Sequence, residues 1–93
     1  MTFMTQNVDN LFELGHAIHT TRRIQGITQA ALASKAGVSR AFVSSLERGM
    51  KPRAELFRVM QVIQALGLGM TLEPTMKLTF DEALDNLIES KQA

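Results

Sequence analysis

Glycines at positions 26, 37, 49 and 67 divide most of this 93-residue chain into short stretches, each closing an apolar pattern of helical spacing. Glycine just past such a pattern most readily takes the left-handed turn that ends a helix. From Val8 to Gln25, the apolar positions Leu11, Leu14, Ile18 and Ile24 predict a first helix stopped by Gly26. Thr28 is an N-cap type, and the stretch behind it predicts a second helix closed by Gly37. Its Ala30, Ala31, Ala33 and Ala36 are small enough to let another helix approach closely. Ser39 is the next cap, and residues 40–48 predict a third helix closed by Gly49, with Pro52 barring its continuation. A fourth helix spans about residues 54–66, with Leu56, Val59, Met60, Ile63 and Leu66 on one apolar stripe.

Beyond Gly67 the period changes. Leu68, Met70 and Leu72 alternate with Gly69, Thr71 and Glu73 until Pro74, the only strand signal in the chain. A lone strand leaves backbone groups unpaired, so its economical partner is the same segment of a second molecule across a two-fold axis. An irregular extended linker is the alternative. Thr79 to Glu82 match the capping box S/T-x-x-E and open a last helix to about Ser90. Phe80, Ala83, Leu84, Leu87 and Ile88 share one face of it, and Asp81, Glu82, Asp85 and Glu89 make the rest acidic. The expected fold class is all-α, with a helical domain over residues 8–67. A dimerising strand follows at 68–74, then an acidic amphipathic helix or tail at 75–93.

The absence of cysteine excludes disulfides, thiolate nucleophiles and cysteine zinc sites. No signal peptide is visible in the first ten residues and no 18-residue apolar run occurs, so a soluble, cytoplasmic, bacterial-type domain without membrane contact is expected. The net charge of +1 hides an asymmetry. Residues 1–53 carry seven Lys/Arg against three Asp/Glu, and residues 54–93 carry three against six. A basic front and an acidic back suggest surfaces with different partners. Glu13, His16 and His19 lie near one face of the first helix, but a metal cage would need carboxylates on neighbouring helices, and none is placed for it. With no Ser-His-Asp order, glycine-rich phosphate loop or paired carboxylates in an apolar setting, neither enzyme activity nor a metal or cofactor is expected.

Two short helices joined by a tight Ala-Gly-Val turn have the spacing of a helix-turn-helix. Ala33 and Ala36 allow close packing, Gly37 supplies the left-handed residue, and Val38 plugs the angle between the helices. Val43 and Leu46 face inward, which turns Arg40, Ala41, Ser44 and Ser45 outward. Phe42 either packs on the second helix or lies over a DNA backbone, and packing is preferred. A helix N-terminus bearing Ser39 and Arg40 offers a positive dipole end, a short hydroxyl and a guanidinium suited to guanine O6 and N7.

The stretch TQAALASKAGVSRAFVSSLERG, residues 28–49, resembles the signature of the Xre/phage-repressor (Cro/C1-type) helix-turn-helix family. The likeness covers about residues 11–66, and the ALGLGMTLEP ending makes the chain most similar to HipB-like antitoxins, the DNA-binding halves of kinase toxin–antitoxin modules. The resemblance implies a repressor-like domain of four to five helices in which Ser39, Arg40, Ala41 and Ser45 face bases. It implies backbone contacts from Thr28, Gln29, Ser44, Lys51 and Arg53, with Gln29 also bracing the recognition helix. Ala41 departs from the longer polar side chains common at its position, leaving at most a contact with a thymine methyl. Arg22 and Glu47 match a partly buried ion pair between the first and third helices.

The expected function is that of a homodimeric repressor of its own operon, binding an inverted repeat of double-stranded DNA. As an antitoxin it would also bind a kinase-type toxin, with Phe80, Leu84, Leu87 and Ile88 as the partner-binding face. Docking of that helix on its own domain is the competing fate. A stand-alone phage or plasmid repressor and a restriction–modification controller protein are the alternatives. An interaction adaptor without DNA binding is a third, opposed by Gln29 and Arg40.

Overall fold

A computed structural model gives the fold and describes residues 5–74. Four helices follow in order: α1 (Leu11–Gln25), α2 (Gln29–Ala36), α3 (Arg40–Glu47) and α4 (Leu56–Ala65). The first three starts are set by side chains that satisfy otherwise orphaned amides. Asn10 Oδ1 accepts from the Glu13 amide at 2.8 Å, and the Glu13 carboxylate accepts from the Asn10 side-chain amide at 3.1 Å. That cap starts α1 at Leu11, later than the Val8 at which the apolar pattern begins. Thr28 Oγ1 and Ser39 Oγ cap α2 and α3, each accepting an amide at 3.0 Å.

The turn between α2 and α3 is closed by Gly37 at φ 73°, with the Val38 amide donating to the Ala33 carbonyl at 3.0 Å. A side chain at that φ would be strained. Val38 packs against the core beside the turn, and Ala33 and Ala36 are buried where α2 meets its neighbours. Ala30 and Ala31 face solvent, so only two of the four alanines serve close packing.

Ile18, Leu32, Val43, Leu46 and Val62 are fully enclosed, and α2 packs against both α3 and α4 while α1 packs against α3. α1 crosses α3 at Gly15. A Cβ there would overlap the Leu46 carbonyl oxygen and stand 2.8 Å from that of Glu47. The buried row of α4 is Val59, Val62 and Ile63, continued by Leu66. This corrects the expected stripe: Leu56 and Met60 are exposed, and Val62 takes the central place. Ile24 is likewise 80% exposed although it fits the α1 pattern.

Gly67 ends α4, and the Leu68 amide donates to the Ile63 carbonyl at 3.1 Å. Residues 68–74 form neither helix nor strand in the single chain, with Leu68, Met70 and Leu72 exposed. No other strand exists among the described residues to pair with them. The last helix expected after Pro74, with Phe80, Leu84, Leu87 and Ile88, lies outside the described residues. Among those described, no helix is long and apolar enough to cross a membrane.

Candidate nucleic-acid interface

The first turn of α3 stands open to solvent. Ser39, Arg40 and Ala41 are exposed there, and Ser44 and Ser45 are half-buried one turn on. Ser39 uses an oxygen lone pair for its cap, which leaves its hydroxyl proton free to donate. Val43 and Leu46 anchor the opposite face of α3 in the core. Phe42 is buried, with the Lys51 ammonium 5.8 Å from its ring centre. Packing is thus its place, and it also steadies the loop that carries Lys51 and Arg53. Arg40, Arg48, Lys51 and Arg53 have no carboxylate partner among the described residues. Arg22, Thr28, Gln29, Ala30 and Arg40 line a shallow depression between the starts of α2 and α3.

Beneath this face lies a buried polar cluster. The Glu47 side chain is only 3% exposed and sits at the end of α3. Arg22 of α1 grips it with two hydrogen bonds, Nε to Oε2 at 2.7 Å and Nη2 to Oε1 at 3.1 Å. Nη1 of the same guanidinium donates to the Ile27 carbonyl at 2.9 Å. His19 Nδ1 lies 2.8 Å from Oε1, and Gln29 Nε2 donates to that oxygen at 3.2 Å. Burial alone pushes the Glu47 carboxyl up, but hydrogen bonds from Arg22, His19 and Gln29, with the Arg22 charge, outweigh it and hold the group below the usual carboxylate range. The cluster therefore binds α1, α2 and α3 into one rigid unit around a fixed negative charge.

Two features of this arrangement escaped sequence reasoning. Gly15 looks like a weak point inside a helix, and only its approach to the α3 carbonyls explains it; an interior glycine is itself the available signal. His19 reads locally with Glu13 and His16, yet the three do not converge. Glu13 is engaged at the α1 N-cap, His16 is exposed, and His19 turns to Glu47.

A family model described as Helix-turn-helix matches residues 18–72 of the chain. The protein belongs to the Xre (Cro/C1-type) helix-turn-helix family of DNA-binding transcription regulators. This family is one of regulators rather than of enzymes. Among its members, the HTH-type transcriptional regulator y4mF of Sinorhizobium fredii is 36% identical over 64 residues, covering 69% of this chain and 83% of y4mF. Among solved structures, the fold is similar to one from a HipA–HipB–O2–O3 complex, with a TM-score of 0.70 and 31% identity over 76% of this chain and 99% of that one. HipB in complex with an O4 20mer gives a TM-score of 0.70 at 30% identity, covering 76% and 99% of the two chains. The restriction–modification controller protein C.AhdI of Aeromonas hydrophila is also similar, with a TM-score of 0.58 and 27% identity, covering 63% and 84%.

Proposed function

We propose that this protein is a homodimeric repressor of its own operon and the antitoxin of a HipBA-like module. The observation that carries the DNA half is the exposed start of α3, where Arg40 has no carboxylate partner among the described residues, mounted on an anchored helix and followed by Lys51 and Arg53 in the next loop. Arg40 reads a guanine in the major groove, with Ser39 and Ser45 donating to neighbouring base edges and Ala41 meeting a thymine methyl. Thr28, Gln29, Ser44, Lys51 and Arg53 hold the phosphates on either side and set the register.

Dimerisation is supported by the apolar surface that one chain leaves uncovered. Leu56, Phe57 and Met60 of α4 are exposed, as are Leu68, Met70 and Leu72 just after it. Pairing of residues 68–74 with the same segment of a second copy would satisfy their backbone groups. Two recognition helices would then face half-sites roughly 34 Å apart. The antitoxin half is supported by likeness to HipB over nearly its whole chain, including the HipB solved in complex with HipA. The toxin-binding segment is assigned to residues 75–93, where the sequence spaces Phe80, Leu84, Leu87 and Ile88 as an amphipathic helix would. The similarity to C.AhdI favours one second reading, a controller protein of a restriction–modification system.

Binding of a labelled fragment of the protein's own promoter, measured across a salt series, tests the repressor reading. The expected result is a tight, symmetric footprint whose affinity falls steeply with salt. Equal affinity for unrelated DNA overturns it. Co-expression with the neighbouring gene separates the two partnerships: a kinase-like protein that co-purifies and loses its toxicity supports the antitoxin, and a neighbouring restriction enzyme or methyltransferase supports the controller.

A further inference from the structure

The buried carboxylate at the end of α3 is loaded unevenly. Glu47 Oε2 accepts one hydrogen bond, from Arg22 Nε, whereas Oε1 faces three donors: His19 Nδ1 at 2.8 Å, Arg22 Nη2 at 3.1 Å and Gln29 Nε2 at 3.2 Å. A carboxylate oxygen has two lone pairs in the plane of the group, so three donors on one oxygen compete. Arg22 cannot withdraw, because its other nitrogens are fixed to Oε2 and to the Ile27 carbonyl. The competition is therefore between His19 and Gln29, and His19 makes the shorter bond. At 2.8 Å from a carboxylate oxygen, Nδ1 carries a proton and donates. Arg22 Nη2, 3.3 Å from the same nitrogen, spends its hydrogen on Oε1 instead, so the two donors sit side by side on the carboxylate.

We propose that His19 is a positioning residue for DNA binding: by occupying Glu47 Oε1 it keeps the Gln29 amide loosely held and free to donate to a phosphate. The inference rests on the reading above in which Gln29 meets the DNA backbone. His19 acts from α1, through a carboxylate on α3, on a side chain at the start of α2. When His19 is removed, Oε1 has room for Gln29, which closes onto Glu47 and turns its second amide N–H away from the phosphate.

The test is a set of operator-binding measurements on full-length protein: wild type, His19→Ala, His19→Asn, Gln29→Ala and the double variant His19→Ala/Gln29→Ala. His19→Ala should weaken operator binding roughly three- to tenfold, the scale of one hydrogen bond. The slope of affinity against salt should stay as in the wild type, because a neutral amide contact releases no counterions. Gln29→Ala should cost a similar factor alone and nothing further in the His19→Ala background. Asparagine places an amide N–H where Nδ1–H stood, so His19→Asn should restore affinity and the separate effect of Gln29→Ala. Circular dichroism melting confirms that each variant is folded at the assay temperature, and the backbone-labelled NMR spectrum of His19→Asn reports α3 directly. Additive losses in the double variant, or a shallower salt slope for His19→Ala, overturn the proposal. Failure of the wild type to prefer its operator would instead overturn the repressor reading, leaving the two distinguishable.

Discussion

Glu47 shows how one buried side chain ties three helices together. Breaking a buried ion pair from one side leaves the partner uncompensated, typically at about 3–5 kcal/mol. Glu47→Ala strands the Arg22 guanidinium, itself buried, and is expected to lower the unfolding free energy by about 3–5 kcal/mol, read as a lower urea midpoint at unchanged m. A variant as stable as the wild type would show that water replaces the carboxylate without penalty. The same residue sets an acid response. Its folded pKa lies below its unfolded one, so the stabilisation is complete above the ordinary glutamate value of ~4.3 and is lost as pH falls through the lower folded value. Unfolding measured between neutral and strongly acid pH should show this loss in the wild type and a blunted one in Glu47→Gln. Arg40 is exposed and has no carboxylate partner among the described residues, so its removal should spare the fold. Arg40→Ala is expected to weaken operator binding by about 1–3 kcal/mol and relax base preference at one position in each half-site. An unchanged preference in a randomised-site selection defeats that assignment.

Among the elements, α2 and α3 follow closely from local sequence, because Thr28, Ser39 and Gly37 act within a turn of their own positions. α4 does not. Leu56, Met60 and Ile63 have helical spacing, and so do Val59, Val62, Ile63 and Leu66; only contact with α2 decides which row is buried. α1 carries a similar ambiguity at Ile24, and a constraint at Gly15 that spacing alone does not reveal. Alanine is the better helix former by about 1 kcal/mol, which on α1 in isolation would favour Gly15→Ala. Against α3 the added methyl meets two backbone carbonyls, which cannot rotate away as a side chain would. Gly15→Ala is therefore expected to destabilise by about 1–3 kcal/mol, the usual scale of overpacking, and thermal melting of the two proteins decides the sign. A higher melting temperature would mean that α1 shifts away from α3 at little expense.

At the scale of the molecule, the described domain presents a basic helix start on one surface and an apolar strip along α4 and the segment after it. Leu72 is 96% exposed, and Leu56, Phe57 and Met70 are each more than half exposed. A chain of this size buries a modest share of its unfolded surface, so covering that strip with a second copy adds stability a monomer lacks. Sedimentation equilibrium is expected to give twice the monomer mass. Met60→Asp and Met70→Asp, each on this strip, should shift the population toward monomer and weaken operator binding with it. A dimer that survives both changes would place the interface elsewhere.

Local chemistry alone was enough to read the order of the helices, the caps that start α2 and α3, and the outward face of α3, because those signals act between neighbours in the chain. The partner of His19, the reason for Gly15 and the buried row of α4 depended on the fold, since each is decided by groups on another helix. His19 and Glu47 are 28 positions apart, and only packing of α1 against α3 gives that pair a meaning.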